Sequence, residues 1–170
     1  MSQGMTFETA PPRAEVEFHC SGKATGKMRN ELDVRMVKPF TEPSHALATD
    51  EGPFHGGDAS APPPLALFVA SLTGCLMTQV RAFAKRLGVQ LNDLDVETRV
   101  CWDWAREGRT YETAPKSFEI DVKIDSDAPL ADQLALVAAA KRGCFIEQTL
   151  GRQNTITHKL KTPEGWISAD

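Results

Sequence analysis

Two periodicities divide this chain. Apolar residues alternate with polar ones at Val16, Phe18 and Cys20, again at Leu32, Val34 and Met36, and in a shorter run at 45–49. A period of two sends successive side chains to opposite faces, so strands are predicted at 14–20, 32–37 and 45–49, with 21–26 as a turn. Consecutive short strands usually pair antiparallel. From Leu65 the period becomes helical: Leu65, Phe68, Val69, Leu72, Leu76, Val80, Phe83 and Leu87 form one broad stripe, with Arg81 and Lys85 opposite. Pro62-Pro63-Pro64 suits the opening of this helix, where amides lack internal partners, and Gly88 suits a left-handed cap at its end.

Beyond the helix, alternation returns. Leu94, Val96, Thr98 and Val100, then Phe118, Ile120, Val122 and Ile124, predict a hairpin over 93–124 turning at Glu107-Gly108-Arg109. A second helix is predicted at 128–142, capped by Asp127, with Pro129 in its first turn and Leu130, Leu134, Val137, Ala138 and Lys141 facing inward. Gly143 would stop it. A short helical piece at 145–150 and a last strand at 155–160 complete a single domain over 14–160. A mobile arm is expected at 1–13 and a polar tail at 161–170. The element order is α+β, and the central stripe is wider than one small sheet covers, which predicts a second copy of the chain against it.

Composition narrows the function. The chain has 170 residues, enough for one ordinary core, and a formal charge of −4 with no Lys/Arg stripe, which argues against a nucleic-acid partner. The longest apolar run, 65–72, is broken by Ser71 and is too short for a membrane span. With no basic head and apolar core at the start, the expected location is cytoplasmic. There, Cys20, Cys75, Cys101 and Cys144 are expected as thiols. The loop at 50–61 carries Gly56-Gly57 and suits either a site lining or a wide surface connection. It has no phosphate-loop pattern, and His55 and Asp58 lack a third ligand at metal spacing, so neither metal nor bound cofactor is expected.

Chemistry centres on Cys75 in mid-helix and Cys144 after a helix-breaking glycine. A thiolate at a helix start gains from free amides. The residues alone leave two readings open: a reactive pair, or two unrelated buried cysteines acting as small apolar groups.

Two motifs favour the pair. Asp50-Glu51, His55-Gly56-Gly57-Asp58, Pro64 and 67–75, ending in Thr73-Gly74-Cys75, resemble the first signature of the OsmC/Ohr family, the osmotically inducible and organic hydroperoxide resistance proteins. Ala138-Ala139-Ala140-Lys141-Arg142-Gly143-Cys144 resembles the second. The resemblance spans about 15–160. It implies antiparallel sheets packed on long central helices in an intertwined homodimer, with sites at the subunit interface. It implies a peroxidase of organic hydroperoxides in which Cys75 is the nucleophile, Cys144 resolves it, and an external dithiol recycles the disulfide. The chain departs from the family in two respects, one being that the Gly-rich turn after the first strand offers Lys23 where the family carries an arginine. Leu65 stands where active members carry the glutamate that holds an arginine against the thiolate. Arg29, with Arg35 as alternative, is the expected arginine, and Glu51 the expected substitute carboxylate. Losing one charge-assisted contact costs about 1.5–3 kcal/mol, so the expected rate is about tenfold to a hundredfold below that of a complete site. The alternatives are a noncatalytic homodimer that binds a small apolar ligand, and a thiol-redox protein with a different electrophilic substrate.

Overall fold

The structure is a computed structural model that describes residues 11–170. The arm expected at 1–13 lies outside the described residues except for its last three. The chain forms two compact units, one up to Leu67 and one from Phe68 onward.

The first unit is a three-stranded antiparallel sheet in the order β1 (Glu17–Ala24), β2 (Asn30–Lys38), β3 (His45–Thr49). Leu32, Val34 and Met36 of β2 are half-buried while Glu31, Asp33 and Arg35 are exposed, the division that alternation requires. β1 runs on through Ser21 and Gly22, which pair with Asp33 and Leu32, so most of the expected turn at 21–26 is strand. Leu32 explains this: its Cδ2 lies 3.1 Å from where a Gly22 Cβ would be, so glycine lets the two strands close. After β3 the loop holds a single 3-10 turn, Pro53–His55.

The second unit contains most of α1 (Pro64–Leu87), a long hairpin of β4 (Asp93–Glu107) and β5 (Thr110–Asp125), α2 (Leu130–Gly143), α3 (Phe145–Leu150), and a small hairpin of β6 (Lys159–Thr162) and β7 (Gly165–Ser168). Leu76, Val80 and Ala84 of α1, Leu136 and Ala140 of α2, Val89 and Cys144 form its core, with Leu94, Val96, Ile120, Val122 and Ile124 of the hairpin packed against them. Gly88 ends α1 at φ 71°, where a Cβ would be strained, and Val89 N–H closes the turn on Ala84 O at 2.9 Å. The β4–β5 register shifts between Cys101 and Trp102, opposite Pro115, which has no N–H to offer the ladder. Arg99 on the outer face of the hairpin bonds Glu119 at 3.2 Å and Asp121 at 2.7 Å.

Several expectations change here. The polar tail at 161–170 is not irregular but supplies part of β6 and all of β7, and the strand expected at 155–160 begins only at Lys159. Pro129, not Asp127, is the residue before the first turn of α2, and no side chain caps it. The buried line of α2 is Leu136 and Ala140, while Leu130 and Leu134 are 70% and 62% exposed. Small side chains decide that rotation. Gly143 continues the helix, and a Cβ on it would stand 2.5 Å from the Phe83 ring of α1, so its role is close approach between helices and not termination. Finally, α1 taken whole is long and apolar enough, by length and composition alone, to cross a membrane, although its uninterrupted apolar run is short. The face carrying Leu72, Leu76, Val80 and Ala84 is buried in protein.

Candidate functional site

Cys75 projects from the middle of α1, half-buried and packed against the core of the second unit. Two residues earlier on this helix, Thr73 Oγ1 lies 2.9 Å from Val69 O and 2.9 Å from Thr98 Oγ1 on β4, which ties this stretch to the hairpin. Cys144 occupies the break between α2 and α3. Its extended backbone (φ −75°, ψ 109°) ends one helix and begins the other. Its carbonyl accepts from Gln148 N–H at 2.9 Å, and its Sγ accepts from Glu147 N–H at 3.5 Å, so sulfur takes the capping place that a Ser or Thr oxygen usually fills. The residue is fully buried.

The two thiols interact with each other, and the Cys144 thiol feels it. Burial pushes its pKa up to about 11, the Glu147 amide opposes this, and the hydrogen bond and charge of Cys75 add to the rise. Cys144 is therefore a neutral S–H donor beside the Cys75 sulfur at ordinary pH. All four cysteines are free, and Cys20 and Cys101 are exposed.

The other expected residues lie in the first unit. Arg29 Nε bonds Glu31 at 2.7 Å, and its Nη1 donates to Ser60 O at 3.0 Å and Ser60 Oγ at 2.9 Å. The carboxylate on Arg29 is thus Glu31, two residues on, and not Glu51. Glu51 is half-buried in the loop and engages through its backbone: its O accepts from Ala59 N–H at 3.0 Å. Asp58 pairs with Lys27 at 2.6 Å, and His55 stacks edge-on against Phe54. Among the described residues, no three His, Cys, Asp or Glu side chains gather as a metal site would need.

Sequence reasoning passed over two carboxylates. Asp50 is 2% exposed and accepts from Ser60 N–H at 2.9 Å, Ser60 Oγ–H at 2.7 Å and Glu51 N–H at 2.9 Å. These donors, Ser60 first, hold its carboxyl below the ordinary carboxylate range. Through Ser60, Asp50 also sets the group that Arg29 grips. Glu147 on α3 walls two clefts of the second unit, about 280 and 250 Å³, which share Phe118 and Ile120 of β5. The only hint of it in the chain is the Cys144-x-x-Glu147 spacing, a capping-box pattern with sulfur at the cap.

The chain is α+β, with a buried thiol at Cys144 and a second thiol, Cys75, packed against the same core. The family model described as OsmC-like protein matches residues 56–159, and the chain belongs to that family. The crystal structure of an OsmC-like hydroperoxide resistance protein from Jannaschia sp. CCS1 is 66% identical, covering 92% of this chain and all of that one, with a TM-score of 0.63. An organic hydroperoxide resistance protein OsmC from Legionella pneumophila is similar in fold at 18% identity, over 79% of this chain and 88% of that one, with a TM-score of 0.55. A further organic hydroperoxide resistance protein, from Elizabethkingia anophelis, has the fold at 14% identity, over 78% and 86% of the two chains, with a TM-score of 0.54. No curated protein matches the chain.

Proposed function

We propose that this protein reduces organic hydroperoxides with Cys75 as nucleophile and Cys144 as resolving thiol. The reading is supported by Cys144, buried at the break between α2 and α3, and Cys75, packed against the same core, whose thiol helps raise that of Cys144. The 66% identity to a protein described as an OsmC-like hydroperoxide resistance protein supports the choice of oxidant. In the first step the Cys75 thiolate attacks the terminal peroxide oxygen, the O–O bond breaks, and the alkoxide leaves and takes a proton, giving an alcohol and a Cys75 sulfenic acid. The Cys144 sulfur then displaces the hydroxyl as water, forming a disulfide. An external dithiol reduces it, and no bound cofactor takes part. Arg29 is held by Glu31 and Ser60 within the first unit, and Arg29→Lys would keep its charge but lose that fork. A cytoplasmic homodimer belongs to the same reading. It is supported by Leu130, Leu134 and Phe145, which the second unit leaves exposed.

Stopped-flow oxidation with cumene hydroperoxide and with hydrogen peroxide tests this on wild type, Cys75→Ser and Cys144→Ser. Cys75→Ser should react only as exposed free thiols do. Cys144→Ser should show the first oxidation without disulfide. Wild type reacting no faster than a free thiol would sink the reading. The apolar clefts would then favour the second one, a noncatalytic site for a small apolar ligand.

A further inference from the structure

The second unit holds a feature that the cysteine chemistry does not use. Its two clefts, about 280 and 250 Å³, share Phe118, Ile120 and Glu147, so they are two lobes of one trough. Neither lobe is lined by Cys75 or Cys144. The larger lobe adds apolar side chains and the exposed Lys141. The smaller adds only Leu72, Leu150 and Gly151, so Glu147 is the one charged side chain on its wall. Phe118 and Leu150 are each 39% exposed, large apolar groups left to water. An apolar wall with one fixed polar or charged group is the usual make-up of a small-molecule site. Glu147 suits that place. Among the described residues no cation pairs with its carboxylate and no donor bonds it. Oε2 is shut from water, while Oε1 is not among the buried atoms and is the oxygen open to a bound molecule. A carboxylate with one oxygen desolvated and unpaired gains more from an incoming cation than one fully in water.

We propose that this trough binds a small amphipathic amine, with its apolar body against Phe118, Ile120 and Leu150 and its ammonium head on Glu147. The body is about nine non-hydrogen atoms, at roughly 30 Å³ for each water-sized particle in one lobe. The charges on the wall select the head. A carboxylate head meets Glu147 in both lobes, and Lys141 offsets it in only one. A neutral apolar molecule covers Phe118 and Leu150 but leaves the Glu147 oxygens unpaired. An ammonium does both, and its hydrogen bond to Glu147 is charge-assisted on the donor and the acceptor side. The proposal stands apart from the two-cysteine reading, because no part of it involves either sulfur.

The test uses the full chain as wild type, Glu147→Gln and Leu150→Ala, with 3-phenylpropylamine, 3-phenylpropanol and 3-phenylpropanoate as probes that share one apolar body. Calorimetric titration at pH 7 reads affinity, a thermal melt shows that each variant is folded, and sedimentation reads its mass. Wild type should bind the amine about tenfold or more tightly than the alcohol, and the propanoate most weakly. Added salt should weaken the amine alone. Glu147→Gln should bring the amine down to the level of the alcohol and leave the alcohol unchanged within about threefold, since Gln keeps an acceptor oxygen but no charge. Leu150→Ala should weaken amine and alcohol alike, by about threefold to tenfold, since it removes wall and not charge. Equal affinities of the amine and the alcohol in wild type would overturn the proposal. So would an amine affinity that Glu147→Gln leaves untouched. Failure of all three probes to bind, with Leu150→Ala lowering the sedimenting mass, would also overturn it and mark the trough as a surface covered by a second copy of the chain.

Discussion

Asp50 is buried and Glu147 is half-buried with one oxygen shut from solvent; they lie one in each compact unit and are treated in opposite ways. Every approach to Asp50 ends in a donor: Ser60 gives two hydrogen bonds and Glu51 one. Ser60 in turn engages Arg29, which engages Glu31. Glu147 has an oxygen with no donor, an apolar cleft in front of it, and a buried thiol one turn away. A saturated polar group holds a loop in one shape, because every alternative leaves donors unmet. An unsatisfied one is held against its own preference by the packing around it. The first unit's loop therefore behaves as a fixed frame, and the Cys144–Glu147 corner as the less constrained part.

That contrast can be attacked at several points. The largest effect is expected at Gly57, where a Cβ would drive into Glu51 O and stand 2.9 Å from Asp50 Oδ1. Gly57→Ala should lower stability by about 1–3 kcal/mol in urea titration, with the Cys144 corner chemically unchanged. A neutral result would mean the frame is soft. Asp50→Asn comes next. Donors hold the folded carboxyl below its ordinary range, so its contribution is present above the unfolded pKa and is lost as pH falls through the lower folded value. Wild type should lose stability on the acid side of the usual carboxylate range, and Asp50→Asn should be weaker at neutral pH with a flatter acid limb in thermal melts.

Cys144 has the opposite sign. Its folded pKa lies above its ordinary 9.0, so its contribution is complete below pH 9 and is lost as pH rises toward about 11. Cys144→Ser should abolish that alkaline decline relative to wild type, read as the difference in melting temperature between pH 8 and 10.5. The smallest effect is expected at Glu147. Replacing an orphaned carboxylate by Gln should leave stability unchanged or raise it by up to about 1 kcal/mol, the reverse of Asp50→Asn. If Glu147→Gln were clearly destabilised, Glu147 would be a second structural carboxylate and the contrast would collapse.

Much of this architecture is legible along the chain. β3, the β4–β5 turn at Gly108 and the Gly88 end of α1 follow from alternation, helical spacing and glycine alone. So does the position of Cys75 within α1. These are local features: a period of two or 3.6 and a residue with no Cβ act on their own neighbours, whatever the rest of the chain does. The face of α2 was not legible in the same way. Ala135, Ala138, Ala139 and Ala140 put small residues around most of the helix, so no side was marked by bulk, and Phe83 against Gly143 made the choice. The grip on Arg29, just before β2, went to Glu31, two residues on, where extended chain returns the side chain to the same face. Contact between helices more than forty residues apart in sequence and burial of single oxygens are different in kind. Whether Cys75 meets Cys144, whether a carboxylate is saturated like Asp50 or stranded like Glu147, depends on which surfaces have closed around it. Desolvation and hydrogen-bond geometry exist only once distant segments have packed, and no spacing along the chain encodes them.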